Sequence, residues 1–181
     1  GHVMDRINNI STVLKGTEAD AVGSAGDAVM PKLLFTEGGS QFDIYAVRSA
    51  GIDPATGQEI FIKKDGTYTY KYDEDDRVAV GNSNPVLSGS WINTLRYKGF
   101  SLSITTSYTF GADFYNTTLQ SKVENIDPYK NVDSRAYTER WKNPGDLVRF
   151  LAISTTNNQM VNSERFVERR NELYVSNVQF T

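Results

Sequence analysis

The sequence predicts an all-β protein, mainly antiparallel, with short helices confined to one long loop. Three observations carry this. The 181 residues include 15 Ser, 16 Thr, 14 Asn and 14 Gly, with ten Tyr and nine Phe, and Thr and aromatics suit a pleated surface while Asn and Gly suit turns. Phe100, Leu102, Ile104, Thr106, Tyr108 and Phe110 alternate with Ser101, Ser103, Thr105, Ser107 and Thr109, a period of two. Turn signals separate the strand-like runs: Asp53-Pro54, Asp65-Gly66 and Lys98-Gly99.

In chain order, Gly1-His2 reads as a cloning remnant outside the fold. Residues 3–30 are weakly patterned, with a short helix expected over Val3 to Leu14. The β-hairpin-rich stretch is expected over 31–110. Leu33-Leu34-Phe35 leads into a strand over Phe42–Val47, and Gly51–Gly57 is dense turn chemistry. Glu59–Ile62 reads as a short strand, Asp65-Gly66 as a type I′ hairpin turn, and Tyr68–Tyr72 as the returning strand. Trp91 to Tyr97 and Phe100 to Phe110 form a second hairpin about Lys98-Gly99. Residues 111–171 form the long loop. One helix is expected over Thr117–Glu124, capped by Thr117 or Thr118, and another over Ser134–Trp141, capped by Ser134 with Tyr137 and Trp141 on one face. Thr155–Gln159 is a polar loop, and 172–181 reads as a strand cut short. A loop of about sixty residues is well beyond ordinary lengths, and such loops are functional or partly helical.

Composition excludes several classes. Without Cys there is no disulfide, thiolate metal site or cysteine nucleophile, and with His2 as the sole His there is no Ser-His-Asp triad. A net charge of −3 does not suit a nucleic-acid surface. The run Asp73–Asp76 lacks the spaced ligands and central Gly of a Ca²⁺ loop. Asp133, Glu139 and Asp146 lie close in sequence, as two carboxylates of a glycoside hydrolase must in space, but acids crowd many loops. The expectation is no enzyme, cofactor or metal.

The Phe100–Phe110 strand meets the conditions for crossing a membrane: about 9–11 residues, one apolar and one polar face, aromatics near the ends. A hairpin of a soluble sandwich carries the same pattern, and the pattern alone leaves both open.

Several segments, in order and spacing, resemble SusC/RagA-type TonB-dependent outer-membrane transporters. They are Gly38-Gly39-Ser40 and Ile44-Tyr45; Gly51-Ile52-Asp53-Pro54-Ala55-Thr56-Gly57-Gln58-Glu59; Val80-Gly81-Asn82-Ser83-Asn84-Pro85; Lys98-Gly99-Phe100-Ser101-Leu102-Ser103; Tyr108 to Asp113 with Tyr115-Asn116; Asn131 to Arg135; Arg140 to Asp146; and Ser163 to Val167. The resemblance covers about residues 30–181 and implies a late piece of a transmembrane β-barrel, in isolation an open or repacked β-sheet. It implies an importer of oligosaccharides or peptides in a Gram-negative outer membrane, working with a SusD-type surface lipoprotein and with TonB. The signal sequence, TonB box, plug and remaining strands of that family are not in these residues, so the piece is not expected to transport alone.

On that resemblance Phe100, Leu102, Ile104, Tyr108 and Phe110 face lipid, Lys98-Gly99 is a periplasmic turn, and the long loop is extracellular. Tyr137, Arg140 and Trp141 are its candidate contacts to cargo or lipoprotein, since aromatic faces stack on sugars and Arg bonds hydroxyls and carboxylates. For Tyr137 and Trp141, anchoring the loop's own core is the competing role. A severed sheet exposes two edges and an apolar face, so Phe100, Leu102, Ile104 and Tyr108 are expected to hide beneath the N-terminal segment or against a second copy. The alternative to the importer is a stand-alone β-rich module that binds glycan or peptide.

Overall fold

A computed structural model describes residues 6–7, 38–126, 131–153 and 161–181. Gly1-His2, the Leu33–Phe35 run, the polar stretch Thr155–Gln159 and all of the expected Val3–Leu14 helix but Arg6 and Ile7 fall outside the described residues; Arg6 and Ile7 are not helical, and Ile7 N donates to Gly39 O. The expected hairpin-rich stretch divides into two sheets. The first has the order β3-β2-β1-β4 and is antiparallel throughout, from β1 (Asp43–Ile52), β2 (Glu59–Ile62), β3 (Tyr68–Thr69) and β4 (Arg77–Asn82). Ile44, Tyr45, Ala46 and Val47 are all buried, so β1 is covered on both faces as its apolar run requires.

The β2–β3 turn is not type I′. Of its residues only Gly66 has positive φ, and its N–H donates to Lys63 O at 3.0 Å. That is a type I turn followed by a left-handed glycine. Asp65 sets it, accepting from both Thr67 N and Thr67 Oγ1. β3 ends at Thr69, short of the expected Tyr72, whose ring packs edge-on to Phe61 at 5.5 Å. The acidic run is local capping: Asp73 accepts from Asp75 N, and Asp76 accepts from Lys64 N.

The second sheet has the order β5-β6-β7, from β5 (Leu87–Tyr97), β6 (Phe100–Tyr115) and β7 (Val167–Phe180). Here the type I′ turn does occur, at Lys98 (φ 46) and Gly99 (φ 91), joining Tyr97 to Phe100. β6 runs past the expected end at Phe110 to Tyr115, and β7 begins at Val167 rather than Glu172. Registry places Tyr97, Leu95, Trp91 and Leu87 of β5 opposite Phe100, Leu102, Thr106 and Phe110 of β6. On the other side Phe180, Val178 and Leu173 of β7 oppose Leu102, Ile104 and Tyr108. One face of all three strands is therefore apolar and the other is mostly Ser, Thr and Asn.

Among the described residues, the two α-helices and one hydrophobic cluster lie in the excursion from Asn116 to Phe166. α1 (Thr117–Leu119) continues as a π-helical turn over Gln120–Glu124, and its cap is Asn116, whose Oδ1 accepts from Leu119 N at 2.8 Å. α2 (Arg135–Thr138) is shorter than the sequence predicts. The Ser134 side chain does not cap it; Asp133 does, accepting from Arg135 N at 2.9 Å. Leu119, Val123, Ala136, Phe150 and Phe166 form its core, with Tyr115 and Ile126 packed against it. The excursion joins the first sheet where Val47 N donates to Asn162 O. Together they make one body on the upper ends of β6 and β7.

Candidate functional site

The body's surface is set by how the long loop docks on the Gly51–Gly57 turn. Asp53 organises that turn, accepting from Ala55 N, Thr56 Oγ1 and Tyr70 Oη. These donors hold its carboxyl below the usual range, the Ala55 N–H foremost. Trp141 lies on the turn: its Nε1 donates to Pro54 O at 2.8 Å, and a Cβ on Gly57 would sit 2.5 Å from the ring. Gly57 has φ +70 as well, so glycine is required there both for conformation and for room. Gly145 N also donates to Pro54 O. The sequence segments 51–57 and 140–146 are thus two halves of one contact.

Of the three predicted contact residues, only Tyr137 stands in solvent, with Lys142 Nζ 3.6 Å above its ring. Trp141 is half-buried against the turn. Arg140 is buried, and its guanidinium donates to the carbonyls of Ala136, Leu151, Val123 and Glu124. Burial pulls the Arg140 guanidinium down and nearby Glu124 opposes this. The Val123, Glu124 and Ala136 carbonyls end the π-turn and α2, where a cation suits the orphan acceptors. Arg140 thus shapes the body, its guanidinium enclosed by four of the body's own carbonyls. An open groove runs between the end of β1 (Ala50–Ile52) and Thr138, Glu139, Leu147 and Arg149.

Sequence reasoning missed a second buried arginine. Arg165 Nη2 lies 2.7 Å from Glu59 Oε2 and 3.1 Å from Glu124 Oε1, and its Nη1 donates to Arg149 O. Ser163 Oγ donates to the other Glu59 oxygen. Burial works against the Arg165 charge, but Glu59 and Glu124 outweigh it and raise the guanidinium above its ordinary value. Glu59 sits in β2 and Arg165 more than a hundred positions later, so no local pattern could pair them. The one available signal was Glu59 beginning an otherwise apolar strand, Glu59–Ile62.

The second sheet carries the other candidate surface. Trp91, Leu95, Tyr97, Leu173, Val178 and Phe180 are exposed on its apolar face, and Phe100 is 60% exposed, while Leu102, Ile104 and Tyr108 are half-buried. Nearly all of the N-terminal segment expected to cover Phe100, Leu102, Ile104 and Tyr108 lies outside the described residues. Among the described residues the sheet is open, because covering a flat three-stranded face needs another layer. Aromatics gather at both ends: Phe100 stacks with Phe180 at 5.8 Å, and Tyr108 with Phe110 at 6.0 Å.

An open antiparallel strip with one apolar and one polar face, topped by a loop-built body, is the architecture of a segment of β-barrel wall. Among solved structures, the chain is similar to the RagAB peptide importer in its "open-open" state, with TM-score 0.60 and 19% identity over 76% of this chain and 15% of that one. For the "closed-closed" state the values are 0.60, 20%, 80% and 17%, and for a further RagAB peptide transporter structure 0.57, 21%, 76% and 16%. No protein-family model matches the chain, and no curated protein does. At these identities the likeness is one of fold, SusC/RagA-like, and the chain spans only 15–17% of the length of those structures. These similar structures are of transporters, not enzymes.

Proposed function

We propose that this chain is part of a SusC/RagA-type importer of the Gram-negative outer membrane, contributing three strands of barrel wall and one extracellular body. The single observation that carries the reading is the apolar face of β5-β6-β7 with aromatics at both ends. From Phe100 to Phe110 the strand rises about 34 Å at about 3.4 Å per residue. Tilted by about 40°, that is about 26 Å, the height of the lipid-facing band of such barrels. Phe100, Leu102, Ile104, Tyr108 and Phe110 then face lipid, and the Ser/Thr row faces the lumen.

The parent protein takes up an oligosaccharide or peptide, with a SusD-type lipoprotein over its extracellular side and TonB supplying energy. Similarity to a peptide importer favours peptide. Tyr137, with Lys142 over it, and the groove beside Leu147 are the contact surface for cargo or lipoprotein; Arg140 and Trp141 position that surface. The 181 residues alone do not transport, because three strands enclose no lumen.

The chain has no Cys, so single cysteines at Leu102, Ser103, Ile104 and Thr105 of the full-length parent test the reading in outer membranes. Cysteines at 102 and 104 should resist a water-soluble maleimide and be shielded by lipid; those at 103 and 105 should react. Equal labelling of all four would refute the barrel wall and favour the stand-alone binding module.

A further inference from the structure

We infer that Lys98, at the tip of the β5–β6 hairpin, is a contact for the headgroups of anionic phospholipids on the periplasmic leaflet; this rests on the barrel-wall reading above. The first observation is conformational. Lys98 is the only described residue other than glycine with positive φ, at 46°. A two-residue type I′ turn needs positive φ at both positions and ordinarily takes Asn, Asp or Gly at the first. Lysine there is the strained choice, and strain held at an exposed tip points to a use for the side chain.

The second observation is charge. Residues 77–112 contain no Asp or Glu, and their only cations are Arg77, Arg96 and Lys98. Arg96 opposes Ser101 on the polar face, and Arg77 begins β4 in the other sheet. Lys98 is thus the one cation at the turn itself. The third is its setting. Tyr97 and Phe100 on either side are exposed, Phe180 stacks on Phe100, and Lys98 Nζ lies 5.3 Å from the Tyr97 ring centre. An ammonium at the edge of an aromatic cluster is held at the depth where lipid phosphates lie, with its stem along apolar surface.

The test uses the full chain with vesicles of phosphatidylcholine alone and with phosphatidylglycerol added. One surface lysine is worth about fivefold in affinity for an anionic membrane. Wild type should bind the anionic vesicles tighter, with Trp91 quenched by brominated acyl chains. Lys98→Asn, which suits the turn better, should lose about fivefold on anionic vesicles and nothing on phosphatidylcholine, and salt should erase the difference. Arg96→Gln should stay within twofold of wild type. Both proteins share the same chain end, so the comparison isolates Lys98. Binding with Trp91 quenching but no response to phosphatidylglycerol or to Lys98→Asn overturns the headgroup contact and leaves the barrel wall standing. No binding to either vesicle, with Trp91 unquenched, overturns both.

Discussion

Replacing Arg140 by Met separates an arginine that holds the body together from one that awaits cargo. Met keeps most of the volume and removes the donors that Ala136, Leu151, Val123 and Glu124 carbonyls now receive. A buried carbonyl left unpaired costs about 1–3 kcal/mol. Four such penalties do not add, since one group serves them all and water can enter. The loss of Arg140 also removes a charge that favours the buried Glu124 carboxylate, leaving it with Arg165 alone. Removing one partner of a buried charged cluster costs about 3–5 kcal/mol, the better bound here. Amide hydrogen exchange reads local opening directly. The amides of Gln120, Asn125 and Glu139, bonded to Asn116 O, Gln120 O and Arg135 O, should exchange about a thousandfold faster at about 4 kcal/mol. Amides of the β5–β6 hairpin should not change, because the body opens without them. A change of tenfold or less at the three amides would refute the reasoning and show the guanidinium free for an outside ligand.

Gly57→Ala meets both the Trp141 ring at 2.5 Å and a φ of +70, and should cost about 2–3 kcal/mol. In a Trp141→Ala background only the backbone strain remains, about 1–2 kcal/mol, and a denaturation cycle showing no coupling would count against the contact. Ile104→Lys should cost under about 0.5 kcal/mol in the chain in water, where the site is half-exposed. In the full-length barrel in vesicles it should cost about 2–4 kcal/mol; equal losses in both settings would contradict a lipid-facing Ile104. The Arg135 side chain and backbone N–H pull Asp133 down to about 2. A depressed carboxyl contributes stability that is complete above its unfolded value and lost as pH falls through the folded one. The α2 cap should therefore persist at pH 4 and open toward pH 2, which NMR titration of Asp133 would show; opening already by pH 5 would contradict it.

What the sequence determined by itself is everything that depends on neighbours in the chain. Alternation from Phe100 to Phe110 dictated a two-faced strand, because side chains of a strand point alternately to opposite sides. Lys98-Gly99 marked the hairpin, the Ser134 region held a helix, and the absence of Cys closed off thiol chemistry. Even local chemistry was misread where two solutions were close: Asp65-Gly66 chose a type I turn because Asp65 could bond forward to Thr67, and Asn116 and Asp133 capped helices where hydroxyls were expected.

Only the tertiary structure decided what the long loop's arginine and tryptophan do. A guanidinium exposed in a loop and one enclosed by four carbonyls are the same letter, and burial assigns the role. Glu59 met Arg165 across the whole excursion, and Gly57 was left bare so that Trp141 could lie on it. Such pairings are set by three-dimensional packing, which local periodicity does not encode. The open apolar face had the opposite origin: it was written residue by residue in β6, and the structure added only that no described part of the chain covers it.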